Sequence, residues 1–317
     1  MHRPGATRGP AARVLAGLEA QPRLTALLGA MCIAFSGIFF RYSAVSPSTA
    51  TVFRCLYALP LLALLAYRET GTHGPRSRRN HLVAIAAGVF FASDLTLYHH
   101  GVQQVGAGLG TVIPNLQVVI VAIAGWLFLG EHPDRRTWVA MPVAVVGVLL
   151  ISGLLEHGAY GADPPLGVAF GLGAGASYAG YLLIIRQGNR DGRRPFGTLF
   201  DASAATVVVA GLAGLVVGDL DLVPSWPAHG WLLALALISQ VAGYGLINLS
   251  LPRLPAVLTS VLLLAQPIAT LVFSGLLLSE APSALQLGGV ALILGGVVLA
   301  AARRSSSPVA EGATEPA

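Results

Sequence analysis

Residues 276–282 read LLLSEAP, and residues 127–133, which lie 149 positions earlier, read LFLGEHP. Each string closes an apolar run of about 20 residues, the length of a bilayer-spanning helix. Each then adds a carboxylate and a proline: Glu280 and Pro282 in one, Glu131 and Pro133 in the other. The correspondence extends outward from this step. Sliding the chain on itself by 149 residues lays 82–151 over 231–300 without a gap, with Gln117 on Gln266 and Gly147 on Gly296. Matches among Leu, Ala and Val carry little weight in so apolar a chain, so the Glu-x-Pro pair is what identifies the repeat.

A chain of 317 residues could form two soluble domains, but 55% hydrophobic and 10% charged residues and a mean hydropathy of +0.72 place it outside that class. The net charge of +5 does not indicate a nucleic-acid partner: all 19 basic residues are Arg, and they fall between apolar runs without interleaved stacking aromatics. Cys32 and Cys55 both sit inside apolar runs, so neither a disulfide framework nor a cysteine metal site is indicated.

Apolar runs predict ten transmembrane helices at 24–42, 48–67, 81–100, 106–129, 136–153, 166–185, 196–217, 229–249, 256–278 and 284–302. Residues 1–23 and 303–317 read as disordered cytoplasmic tails. With the N-terminus inside, the cytoplasmic segments collect 17 of the 19 arginines, while the outer loops carry Glu156, Asp163, Asp219, Asp221 and Glu280. This follows the positive-inside rule and predicts that both termini are cytoplasmic. Only Arg41, at the outer end of the first span, and Arg54, inside the second, depart from it.

Five spans per half turn the second copy over in the membrane, so the expected fold is all-α integral membrane, ten transmembrane helices as two inverted five-helix repeats over 24–153 and 166–302. On the Glu-x-Pro step, the Gly-rich helices that follow it and Phe53-Arg54, the chain resembles the EamA family of the drug/metabolite transporter superfamily over about 24–302. Ser279 stands where that family usually has Gly. The resemblance implies a permease of the bacterial plasma membrane that moves small metabolites, amino acids or related compounds among them, often as export. It does not name the solute.

Ionisable groups inside spans are costly and face a protein interior or a wet cavity. Arg54 and Asp94 both fall about 5 Å to the outer side of their helix centres, counting the helical rise per residue. Two readings stand: they line the central pathway, or they form a fixed ion pair between the second and third spans. Asp201 follows Phe200 as Arg54 follows Phe53, and is expected to be solvated near the cytoplasmic face. Asn115, Gln117, Tyr178 and Gln266 add neutral polar groups to the candidate substrate-binding set. Gln240, Tyr244 and Asn248, spaced i, i+4, i+8, form one stripe on the eighth span, which reads as cavity lining or as interhelical hydrogen bonding.

His99 and His100 point about 100° apart on a helix, which disfavours a shared metal ion, and they read as interface residues. Gly167, Gly171, Gly175 and Ala179 form a small-residue ladder for close helix packing. Pro114 and Pro267 are hinge candidates. The favoured function is a secondary transporter working by alternating access, with a small-molecule solute and the lipid bilayer as partners, as monomer or homodimer. No catalytic residue, metal or cofactor is assigned. The alternatives are a membrane-embedded enzyme using Asp94, His99 and His100, and a non-transporting scaffold that associates through the glycine ladder.

Overall fold

The computed structural model describes residues 17, 18, 20–120, 123, 126, 132, 135–188, 194–250, 253, 254 and 262–301. Glu131, Pro133, most of both tails and the start of the 256–278 span lie outside the described residues. Among the described residues every regular element is helical: α1 (Pro22–Ala34), α2 (Ser36–Ser43), α3 (Pro47–His73), α4 (Arg78–Val112), α5 (Arg135–Ile151), α6 (Pro164–Gly188), α7 (Pro195–Val217), α8 (Trp226–Ala234), α9 (Tyr244–Ser250), α10 (Ala265–Leu278) and α11 (Ala284–Ala301). Ile113–Leu116 is a 3-10 turn, and Leu235–Gly243 is π-helical and joins α8 to α9.

Among the described residues six stretches are long and apolar enough to cross a membrane: Pro22–Ser43, Pro47–His73, Arg78–Ile120, Pro164–Ile185, Pro195–Val217 and Trp226–Ser250. Ala265–Leu278 and Ala284–Ala300 are shorter apolar helices. Local sequence sets where several begin. Ser46 caps α3 by accepting from the Thr49 amide at 3.3 Å, and Pro47 follows at the first helical position, where a missing N–H costs nothing. Ser77 caps α4 in the same way through the Asn80 amide at 3.2 Å.

The longest stretch is not one rod. Gly106 adopts φ 85° and ψ 169°, a region open almost only to glycine. Beyond it the chain doubles back. A Cβ on Gly110 would lie 3.0 Å from the Val102 Cα, whereas eight residues of continuous helix span about 12 Å. The Tyr98 hydroxyl likewise meets the Thr111 hydroxyl at 3.1 Å. Residues 78–105 and 107–120 are therefore two antiparallel arms, and Glu280 sits over the bend.

Helix α4 packs on α6 and α7, and α3 packs along α7. These contacts are made through small residues. A Cβ on Gly88 would come within 2.6 Å of the Ala202 carbonyl, one on Gly167 within 2.3 Å of Val105, and one on Gly171 within 2.6 Å of Ile113. The glycine ladder of α6 thus faces the α4 bend within the same chain. α5 and α11 form a second pair at the edge, with Gly147 and Gly289 back to back. Their outward side chains, among them Trp138, Val145 and Leu285, are exposed.

The two ends of the bundle are tied by carboxylates on helix N-termini. At one end Glu69 of α3 accepts from the Phe196 and Gly197 amides of α7 at 3.0 and 2.7 Å. At the other, Asp219 just past α7 accepts from the Ser48 amide of α3 at 3.4 Å, and its carbonyl accepts from Ser46. Each carboxylate lies against the positive end of a helix dipole.

Candidate functional site

A cavity of about 110 Å³ opens among α1, α2, α3, α4, α6, α9 and α10. Seven of the nine residues singled out in the sequence line it: Arg54, Asp94, Asn115, Gln117, Tyr178, Tyr244 and Gln266. Tyr98, Thr111 and Ser36 join them, with Ile33, Leu95 and Ile247 as apolar wall. Tyr98 is one helical turn from Asp94, a signal present in the sequence. Ser36 carries no such pattern.

Arg54 is 1% exposed and anchored by neutral groups. Its Nε donates to Gln240 Oε1 at 2.8 Å and its Nη1 to Ser36 Oγ at 2.8 Å. Gln240 in turn donates from Nε2 to Ser203 Oγ at 3.1 Å, which fixes the amide orientation. The guanidinium carbon stands 5.7 Å from the centre of the Tyr244 ring, within cation–π range. Among the described residues Arg54 makes no ion pair with Asp94 within 4.0 Å. Of the two readings, the fixed Arg54–Asp94 ion pair is not formed: the arginine is held by Gln240 and Ser36, and both side chains line the cavity.

Gln240 and Asn248 do not line the cavity. Gln240, in the π-helical turn Leu235–Gly243, spends its side chain on Arg54 and Ser203, the interhelical hydrogen bonding that the stripe also allowed. Gln240 is fully buried behind Arg54. Past Tyr244 the lining face runs through Ile247, and Asn248 falls one position beyond it.

Other polar groups differ from expectation in position. Asp201 is not solvated: its Oδ2 accepts from Arg76 Nη1 at 2.8 Å and meets His81 Nδ1 at 2.7 Å. His99 is fully buried, not interfacial, with Nδ1 at 2.9 Å from the Thr51 hydroxyl and its ring 4.5 Å from that of Phe40. His100 turns away and stacks on Phe170 at 5.0 Å. The two histidines thus fail to converge with Asp94, as an enzyme site using all three would require. Gln117 Oε1 is buried without a hydrogen-bond partner among the described residues, an acceptor left for whatever enters the cavity.

Toward the end that carries Glu280, Phe40, Thr51, His99 and Ala107 are all buried. Glu280 itself is 5% exposed, and its carboxylate accepts from the Ala107 and Gly108 amides at 2.7 and 3.0 Å. The sequence marks Glu280 as a loop residue without indicating this partner, which the Gly106 bend brings to it. Toward the opposite end Asn115, Gln117, Tyr178, Tyr244 and Gln266 are only partly buried.

The EamA-like transporter family model matches the chain twice, over residues 23–153 and 165–302. The uncharacterized transporter YwfM of Bacillus subtilis is 29% identical over 73% of this chain and 77% of its own length. The uncharacterized transporter sll1319 of Synechocystis sp. is 23% identical over 90% of this chain and 95% of its own. A solved crystal structure covering 89% of this chain and 97% of its own superposes with a TM-score of 0.56 at 14% identity, a likeness of fold. With both stretches matched and a buried polar cavity lined from each, the chain belongs to the EamA-like transporter family of the drug/metabolite transporter superfamily and is a multi-pass membrane protein of the transporter class.

Proposed function

We propose that the chain is a secondary carrier of small polar metabolites, built as ten spans in two inverted five-helix halves and working by alternating access around the Arg54–Asp94 cavity. The observation that carries this reading is the origin of the lining. Arg54, Asp94, Asn115 and Gln117 come from the first matched stretch, Tyr178, Tyr244 and Gln266 from the second, so rocking one half against the other would open and close the site. The reciprocal caps support the inversion: Glu69 on α7 and Asp219 on α3 exchange roles at opposite ends of one antiparallel pair.

The end bearing Arg68, Arg76, Arg78, Arg79 and Arg194 is the cytoplasmic one by the positive-inside rule, and the Glu280 end faces outward. A cation and an anion in one cavity suit a solute bearing both charges, amino acids and related compounds among them. Export is the direction the family resemblance implies. The scaffold reading loses its interface, because Val105, Ile113 and Pro114 of the same chain occupy the glycine ladder.

Counterflow in proteoliposomes across a panel of amino acids and other small metabolites tests the proposal. Saturable exchange of at least one solute that is reduced at least tenfold by Arg54→Met is expected. No exchange of any solute under any gradient, from protein that remains folded, overturns it.

A further inference from the structure

Asp94 is 6% exposed and lines the cavity, yet it makes no hydrogen bond and no ion pair with any described residue. The charged and titratable groups around it are few. They are Arg54 on α3, Tyr98 on its own helix, Tyr178 and Tyr181 on α6, and Tyr244 on α9. α2 and α10 present the neutral Ser36 and Gln266.

Arg54 is not within 4.0 Å ion-pair distance of it; the guanidinium is held by Gln240 at Nε and Ser36 at Nη1. Other carboxylates of this chain that are buried or partly buried are provided for: Glu280 and the partly buried Glu69 each hold two backbone amides, and Asp201 holds Arg76. Among the described residues Asp94 alone of these four is left without a donor. An ionised carboxylate in that condition bears its desolvation cost without compensation, and the neutral acid avoids the cost. Because the carboxyl borders the cavity, a proton can be exchanged with whatever fills that space.

Resting on the carrier reading above, we propose that Asp94 is the proton-binding group that couples transport to the proton gradient. With the cavity empty its carboxyl carries a proton. When a solute's cationic group arrives, the O–H bond breaks, the proton passes to water in the cavity, and the carboxylate takes the cation in its place. One proton then moves in for each solute moved out. Arg54 remains charged throughout and keeps the carboxylate form within reach.

The test does not need the solute. Infrared difference spectra of the full chain in detergent, recorded across a pH titration, report the C=O stretch of protonated carboxyls. A band that persists at neutral pH is expected in the natural sequence, lost in Asp94→Asn and retained at a shifted frequency in Asp94→Glu. Asp219→Asn, a control on the outer loop, leaves it unchanged. Asp94→Glu also keeps the test valid where Asp94→Asn fails to fold. Absence of the band from the natural protein, or its persistence in folded Asp94→Asn, overturns the proposal. Neither result bears on the carrier reading, which is decided by flux.

Discussion

The Glu280 carboxylate lies where a side chain on Gly106 would have to be: a Cβ there would meet its carboxyl atoms at 2.8 Å. The glycine makes the bend, and the bend presents the Ala107 and Gly108 amides to Glu280. Gly106→Ala therefore meets two penalties, a backbone region that costs a non-glycine residue about 1–3 kcal/mol and a clash with the capping carboxylate. Glu280→Gln keeps an acceptor but loses the charge at the helix end, worth about 1 kcal/mol. Thermal unfolding in detergent should rank Gly106→Ala below Glu280→Gln and both below the natural protein.

Arg54 depends on Gln240 for its position, although Gln240 never reaches the cavity. Gln240→Leu leaves Arg54 Nε buried without an acceptor, a loss of about 2 kcal/mol, and frees the guanidinium to move toward Asp94. Solute affinity in counterflow is expected to fall at least tenfold, with a lower melting temperature. Asn248→Ala, beyond the lining face, should change stability by no more than about 0.5 kcal/mol and leave affinity intact.

This contrast shows what could be read from the chain. Long apolar runs and in-span polar residues are local features, so the six long apolar stretches found among the described residues and seven of the nine candidate cavity residues were legible. Partners from distant segments were not. Arg76 reaches Asp201 across 125 residues of sequence, and His99 is buried because Phe40 and Thr51 come from other helices. The polar stripe left cavity lining and interhelical hydrogen bonding open, and only the fold shows that Gln240 does the second, between Arg54 and Ser203. A break between the spans at 81–100 and 106–129 was legible, but the bend at Gly106 filled by Glu280 needed the fold.

The glycine ladder makes a prediction that separates packing from association. Gly171 faces Ile113 with no room for a methyl group, so Gly171→Leu overpacks the α4–α6 contact at a cost of about 1–3 kcal/mol. Size-exclusion chromatography with light scattering should show an unchanged oligomeric state alongside a lower melting temperature. A ladder that served as an intermolecular interface would instead change the oligomer.

Asp201 and Arg76 are buried together near the end of α7, with His81 as a second contact. Removing one member leaves the other charge without its partner, so Asp201→Asn and Arg76→Gln are each expected to destabilise by about 3 kcal/mol. Residues that act on one another are not additive. The double variant should therefore lose clearly less than the sum of the single variants, as measured by unfolding in detergent. Additive losses would mean that the two side chains stabilise the protein independently.

The orientation of the bundle is testable because the two native cysteines are poor competitors for labelling. Cys55 is fully buried and Cys32 half-buried, both inside apolar helices. Exposed positions at the two ends are well separated in character: Asp221 lies with the acidic loop beside α3's N-terminus, Arg79 at the basic start of α4. If the Glu280 end faces outward, a membrane-impermeant maleimide added to intact cells should modify Asp221→Cys and spare Arg79→Cys until the membrane is permeabilised. The reverse pattern would invert the assignment of the two ends. It would also make the Arg54–Asp94 site of this structure the outward-facing state of the carrier cycle.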